Sequence, residues 1–253
     1  MASLRAVYPE GNRLKRIVSA MAKVSDEATF DFAQNEVVFW LFSPDKTVLA
    51  VAKLEPSAFE EYSLDSEVKL SVNVSEMNRV VRRATRNDAV AMQYETGAPG
   101  LTVELQDRKT SFSRSFLITA SESTEESLRE INMSPTARVV MSADDLETLV
   151  TDAKSVGDVV ELHASDGKLE VTASAEGKSY RWLMSQGAPL QELSAEAETK
   201  ASYSAKSLYS SLRPIMSIAE SVQLEFSTDY PLKVTINLSG PEQMIIYIAP
   251  VQG

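Results

Sequence analysis

Cysteine is absent from this 253-residue chain and histidine occurs once. The first absence removes disulfide frameworks, thiolate zinc sites and cysteine nucleophiles, and it suits a reducing intracellular compartment. The second leaves no histidine cluster for a metal or a proton relay, and His163 in "VELHAS" reads as a packed or half-exposed strand position. Glycine-rich phosphate loops and nucleophile motifs are missing too, and nothing converges on the acidic pairs Asp144/Asp145 and Glu60/Glu61. The chain therefore reads as a non-enzyme that needs neither metal nor cofactor. No apolar run approaches the ~20 residues of a membrane span, and the opening "MASLRAVYPEGNRLKR" lacks a signal-peptide h-region. A soluble, cytoplasmic protein with no membrane partner is expected. Positive charge is also scarce: 25 Lys and Arg stand against 36 Asp and Glu, for a formal net charge of -11. A surface that acidic repels phosphate over a Debye length, so nucleic-acid binding requires its cations to be gathered in one place.

They are gathered. "NVSEMNRVVRRATR" places four arginines within eight residues. At helical periodicity Met77, Val80, Val81 and Ala84 share one face, and Arg79, Arg82, Arg83 and Arg86 fall on the opposite one. Asn73 followed by Glu76 reads as a capping box that starts this helix, and "RND" ends it. "GNRLKRIVSAMAKVS" repeats the design with a core stripe of Leu14, Ile17, Val18 and Met21 and an outer face carrying Arg13, Lys15, Arg16 and Lys23. Eight of the 25 basic residues thus sit on two helices, where a solvated face would normally mix signs. This is the pattern of a surface that tracks phosphates on a body that otherwise repels them.

The chain also repeats itself at a spacing of about 131 residues. "RIVSAMAKVSDEATFDF" lies over "TLVTDAKSVGDVVELHA", "MNRVVRRA" over "LYSSLRPI", and "LTVEL" over "LKVTI". Each half reads as strand, helix, several strands, second helix and three strands, an α+β pattern with clear alternation in "VELHASDGKLEVTAS". Between the halves lies "SESTEESLREINMSPT", polar, acidic and without strand pattern. The expected organisation is an N-terminal domain over residues 1–120, a linker over 121–136 and a C-terminal domain over 137–253, each domain built from β-sheet and two helices.

Two repeats joined by an acidic linker, "MNRVVRRA" on the second helix, "DYPLKV" late in the chain and "IYIAP" near its end resemble the sliding clamps called PCNA, the archaeal members most of all. The resemblance spans essentially the whole chain. It implies a trimeric ring of six similar domains around double-stranded DNA that tethers replication and repair enzymes. Copies of this chain or paralogous subunits would close that ring. By resemblance Lys15, Arg16, Arg79, Arg82, Arg83, Lys206 and Arg213 would face the hole, and the helical faces add Arg13, Lys23 and Arg86. The helix "SADDLETLVTDAKSVG" departs from the pattern, because Thr148, Thr151, Asp152 and Ser155 occupy its outer face. DNA contact is accordingly expected to lean on the first domain.

The same resemblance implies a docking pocket for client proteins, formed by Phe42, Lys46, Leu49, Pro231, Tyr247, Ala249 and Pro250 and walled by linker residues among Leu128, Ile131 and Met133. DNA polymerase, flap endonuclease, DNA ligase and the clamp loader are the implied partners. It also implies a subunit seam between "SFSRSFLI" (Phe112, Arg114, Phe116, Ile118) and "KSYRWLM" (Tyr180, Trp182, Met184). The alternative is a clamp-like checkpoint or interaction scaffold without a replicative role, which retention on circular against linear DNA would separate.

Overall fold

The computed structural model describes residues 3–128, 131, 133–187 and 189–251. The chain divides into two compact units: Met1–Pro44, Val51–Arg129 and Gly240–Gln243 form unit 1, and Asp45–Ala50, Glu130–Ser239 and Met244–Gly253 form unit 2. Two short segments are therefore counted with the unit built mainly from the other half of the sequence.

The first half runs β1 (Ser3–Tyr8), α1 (Gly11–Met21), β2 (Glu27–Phe32), β3 (Val37–Phe42), β4 (Val48–Leu54), β5 (Glu61–Leu64), β6 (Val68–Asn73), α2 (Val74–Val81), β7 (Asp88–Glu95), β8 (Leu101–Asp107), β9 (Ser113–Ile118) and β10 (Ala120–Glu122). The second runs β11 (Ala137–Ser142), α3 (Ala143–Val156), β12 (Val159–Ser165), β13 (Lys168–Ala175), β14 (Lys178–Gln186), β15 (Pro189–Leu190), β16 (Glu192–Ala195), β17 (Thr199–Ser204), α4 (Ala205–Met216), β18 (Ala219–Phe226), β19 (Leu232–Leu238) and β20 (Gln243–Ile248). In unit 1 one sheet has the order β5-β1-β7-β8-β9 and the other contains β10-β6-β2-β3. In unit 2 the orders are β16-β11-β18-β19-β20 and β15-β14-β13-β12-β17. Exchanging β5, β1, β7, β8 and β9 for β16, β11, β18, β19 and β20, and β6, β2 and β3 for β17, β12 and β13, reproduces the shared connectivity. The faint repeat in the sequence is thus a topology used twice.

Local chemistry explains where the helices begin. Three of them follow a strand with no loop between, and at each junction one side chain caps the helix. Asn73 Oδ1 accepts the Glu76 N–H at 2.8 Å, Ser142 Oγ accepts that of Asp145 at 3.1 Å, and Ser204 Oγ accepts that of Ser207 at 3.2 Å. Each cap satisfies one of the four orphan donors of a helix start and contributes about 1 kcal/mol. Helix α1 has no side-chain cap. It opens on Gly11, where a Cβ would lie 2.7 Å from the Asp88 carbonyl oxygen.

The capping box expected at Asn73 is only half formed. Glu76 Oε2 accepts the Thr119 N–H at 2.8 Å instead of reaching back to Asn73, and this bond is the first cause of its lowered pKa. Helix α2 is also shorter than its periodicity predicts. It ends at Val81 because the next amides turn to nearer carbonyls, Arg83 N–H to Val80 and Ala84 N–H to Val81. Arg82 is the C-cap and Arg83 and Arg86 lie beyond it.

The apolar stripes close each unit. Leu14, Ile17, Val18 and Met21 of α1 and Met77, Val80 and Val81 of α2 are buried, as are Leu146, Leu149 and Val150 of α3 and Leu208, Leu212 and Ile215 of α4. Strand burial alternates with period two in β6, β8, β13 and β19, so one face of each points inward. Phe30 stacks on Phe39 with ring centroids 3.8 Å apart in the unit 1 core.

One polar cluster is built into unit 1. Tyr8 Oη donates to Glu242 Oε1 at 2.5 Å, and Arg13 Nη1 lies 3.1 Å from Glu242 Oε2. The Arg13 and Glu242 side chains are 14% and 3% exposed. The pair closes over Gly240, whose missing Cβ would stand 2.4 Å from both Arg13 Nη1 and Glu242 Oε2. Burial, and then Glu242, push the Tyr8 hydroxyl far above its ordinary pKa. Removing one partner of such a pair strands the other charge away from water. Arg13→Ala is expected to lower the urea unfolding free energy by about 3 kcal/mol, with exposed Arg16→Ala changing it by less than about 0.5 kcal/mol. Equal stability of the two variants would show that the cluster contributes nothing.

Candidate nucleic-acid and partner interfaces

Helices α1 and α2 pack together in unit 1, and Ser19 Oγ donates to Asn78 Oδ1 across them at 2.8 Å. This contact brings the two basic faces into one layer. Arg16, Lys23, Arg79, Arg82, Arg83 and Arg86 are exposed and Lys15 is half-buried. Among the described residues no carboxylate forms an ion pair with Lys15, Arg16, Lys23, Arg82 or Arg86. Arg79 is close enough to Glu76 to help lower that carboxylate's pKa.

Two residues of the expected basic face behave differently. Arg13 was expected to lack an acidic partner, but its guanidinium is held by Glu242 and lies 3.6 Å from Glu10. It is withdrawn from the phosphate-facing set because its half-buried guanidinium is turned to those acids, which offset its charge. Arg83 sits over the Phe116 ring, 5.2 Å from its centroid, where cation–π attraction holds it toward β9.

The helix layer of unit 2 has another character. Thr148, Thr151, Asp152 and Ser155 are exposed along α3, and Lys206 is exposed on α4. Arg213 Nε lies 3.6 Å from Glu147 Oε1 and its guanidinium stacks 5.4 Å from the Tyr209 centroid. With Asp144, Asp145, Glu147 and Asp152 present, this layer offers little unopposed positive charge.

Strand β9 ends its sheet, and Lys178–Met184 of β14 has a ladder on the β13 side only among the described residues. Both are open edges, the element that pairs readily with another chain. Phe112 is 69% exposed, and Arg114, Phe116, Tyr180 and Trp182 are half-buried. Ile118 and Met184, at 3% and 0% exposure, are instead committed to the cores of their own units. Leu117 and Leu183, at 60% and 48%, point outward from the same strands. The sequence reading missed both because it followed one phase of the alternation and discounted the other. Burial also raises the Tyr180 hydroxyl to about 12, with the Asp152 carboxylate adding to the shift.

The acidic segment 121–136 is partly fastened. It begins in a strand, since β10 pairs with β6. Lys69 Nζ then donates to the Glu125 carbonyl at 3.0 Å and to Ser127 Oγ at 2.8 Å while lying 3.4 Å from Asp31. Ser127 Oγ donates to Asp31 and Thr29 Oγ1 donates to Glu125, both at 2.8 Å.

The expected client-pocket residues divide by exposure. Phe42 is 41% exposed and packs edge-on against Trp40, Lys46 is exposed in a left-handed turn, and Ile131 is 38% exposed. Leu128, Met133, Pro231, Ala249 and Pro250 are half-buried, whereas Leu49 and Tyr247 are buried at 3% and 8%. Unit 2 ties several of these together. The Ala249 N–H donates to the Thr47 carbonyl at 2.8 Å, Pro250 bridges to Tyr203, and Tyr203 Oη donates to the Tyr230 carbonyl at 2.9 Å.

Two copies of one two-helix, two-sheet topology define the DNA clamp fold, and comparison of whole structures agrees. The PCNA of Thermococcus kodakaraensis matches with a TM-score of 0.88 over 98% of this chain and 100% of that one, at 21% identity. The proliferating cellular nuclear antigen of Entamoeba histolytica matches with the same TM-score over 100% of both chains, at 16% identity. Residues 3–121 match the family described as proliferating cell nuclear antigen, N-terminal domain. Among named proteins, DNA polymerase sliding clamp 2 of Sulfurisphaera tokodaii is 25% identical over 98% of this chain and 99% of its own length. DNA polymerase sliding clamp 1 of Saccharolobus solfataricus is 23% identical over 97% and 98%. The first half of the chain thus matches the PCNA N-terminal domain family, and the whole chain has the DNA clamp fold.

The exposure pattern on the two edges yields a differential expectation. Leu117→Glu with Leu183→Glu is expected to weaken self-association in sedimentation while circular dichroism stays unchanged, because both side chains already meet water. Ile118→Asp or Met184→Asp is expected to unfold its unit by burying an unpaired carboxyl. Unaltered sedimentation of the leucine pair would remove these edges from any subunit contact.

Proposed function

We propose that this chain is a subunit of a DNA polymerase sliding clamp, a non-catalytic ring that encloses duplex DNA and tethers the enzymes working on it. The observation that carries the proposal is the set of cations on α1 and α2 and just past their ends, Lys15, Arg16, Lys23, Arg82 and Arg86, that form no ion pair with a carboxylate among the described residues, in a chain of net charge -11. A sliding ring needs many weak phosphate contacts and no base readout, which arginine and lysine on and just beyond two packed helices provide. Lys15, Arg16, Lys23, Arg79, Arg82 and Arg86 carry most of this contact, with Lys206, Arg213 and Arg83 secondary. The near end-to-end alignment with proteins named DNA polymerase sliding clamps supports the reading.

Residues 1–120 and 137–253 are the two clamp domains and 121–136 the connection between them. Three subunits, identical or paralogous, close the ring through the β9 and β14 edges. Client proteins, among them polymerase, flap endonuclease, ligase and clamp loader, dock against Phe42, Lys46, Ile131, Met133, Pro231 and the 249–250 segment.

Retention on circular DNA with rapid loss from linear DNA is the expected behaviour, because a topological clamp slides off free ends. Charge reversal of Arg79 and Arg82 is expected to lower the salt dependence of association by about 0.9 in the log–log slope for each phosphate contact removed. An unchanged slope with intact assembly would take the α2 face out of the DNA contact. Phe42→Ala with Ile131→Ala is expected to reduce stimulation of polymerase extension on primed circular template without reducing loading.

A further inference from the structure

Unit 2 holds a cavity of about 520 Å³ whose lining includes Ser134, Thr136, Glu198, Thr199, Ser227 and Tyr230. Its hydrogen-bond directions determine what it can bind. Thr199 Oγ1 donates to the Ala197 carbonyl at 3.0 Å, so in the 2.8 Å contact between Thr136 Oγ1 and Thr199 Oγ1 the proton comes from Thr136. Ser227 Oγ donates to the Ser134 carbonyl at 3.3 Å and accepts the Thr136 N–H at 2.9 Å. A hydroxyl has a single proton. All three are spent within the wall, and Thr136 and Ser227 have only lone pairs left for a guest. Glu198 adds a carboxylate, whose Oε1 meets His163 Nε2 at 2.9 Å.

Beside these acceptors stands Tyr230, 59% exposed, with its backbone fixed by Tyr203 Oη on its carbonyl and by its own N–H on the Ser227 carbonyl. Asp229 precedes it and lies near enough to Tyr203 for its charge to act on that hydroxyl. The lone pairs of Thr136 and Ser227, the Glu198 carboxylate and an open aromatic ring complement a planar cation with several donors and no acceptor. Phosphate would be repelled by the Glu198 carboxylate and would find no donor on Thr136, Thr199 or Ser227, which disfavours nucleic acid as the guest. The volume suits a long side chain with part of its backbone.

We infer that this cavity receives an arginine side chain from a protein partner, the guanidinium meeting Glu198, Thr136 and Ser227 and stacking on Tyr230. Pro231 follows Tyr230 directly and belongs to the proposed client surface, so the inference rests on that reading and names a basic residue as part of what a client presents.

The test uses the full chain labelled at threonine methyl groups. N-acetyl-arginine methylamide is expected to shift the Thr136 and Thr199 signals saturably, with remote Thr148 and Thr151 unmoved. Its neutral citrulline counterpart and the Glu198→Gln variant are each expected to bind about tenfold more weakly, as loss of one charged hydrogen bond implies. Equal binding of the two compounds, equal binding by wild type and variant, or no shift at Thr136 and Thr199 would overturn the site. A second arm measures fluorescence polarisation of a peptide with two aromatic anchors and one flanking arginine against its citrulline twin. Preference for the arginine form supports the inference. Equal affinity overturns it and leaves client docking standing; binding of neither form overturns client docking and, with it, this source of the arginine.

Discussion

Each helix of this protein can turn charged or polar residues to solvent only because its opposite face is sealed against a strand layer of its own unit. That one-sided burial is the constraint on which the remaining features depend. It holds α1 and α2 rigidly enough to present cations in fixed positions, and it leaves their outer faces free of any packing role. The same constraint fixes the strand-to-helix junctions, where Asn73, Ser142 and Ser204 each spend one side chain on a helix start.

Electrostatics then separates residues that share a helix face. Arg13 and Arg16 are three positions apart on α1, yet one is half-buried against Glu242 and the other is exposed without an ion pair among the described residues. In water an ion pair contributes little, but burial makes breaking it costly. Arg13 therefore belongs to the architecture of unit 1. Helix α3 occupies the place in unit 2 that α1 occupies in unit 1, and its threonines and acids leave that layer nearly without free cations. The repeated topology thus carries an unequal charge distribution.

Polar satisfaction has a comparable division of labour. Lys69 uses its ammonium group to fasten Glu125 and Ser127 of the acidic segment to β2 and β6, so a stretch that looks unstructured by composition has defined partners. In unit 2 the hydroxyls of Thr136, Thr199 and Ser227 satisfy one another and nearby carbonyls. The protons of these three hydroxyls are consumed and their lone pairs remain on that part of the cavity wall.

The amino-acid sequence by itself determined the fold class, the internal repeat, the helix stripes and the segregation of arginine and lysine, because each of these is written in local periodicity. Helical spacing reports which residues share a face, and alternation reports which strand positions face inward. Tertiary structure alone decided the partners that lie far along the chain. Glu242 reaches Arg13 across 229 positions, Thr119 takes Glu76 away from its capping box, and Phe116 draws Arg83 toward β9. It also decided that Ile118 and Met184 turn inward while Leu117 and Leu183 meet water, a choice of phase that alternation cannot make once both phases carry apolar residues. Asp45–Ala50 and Gly240–Gln243 are counted with units formed mainly by the other half of the chain for the same reason. Periodicity is a property of neighbours in sequence, whereas burial and pairing are settled by neighbours in space.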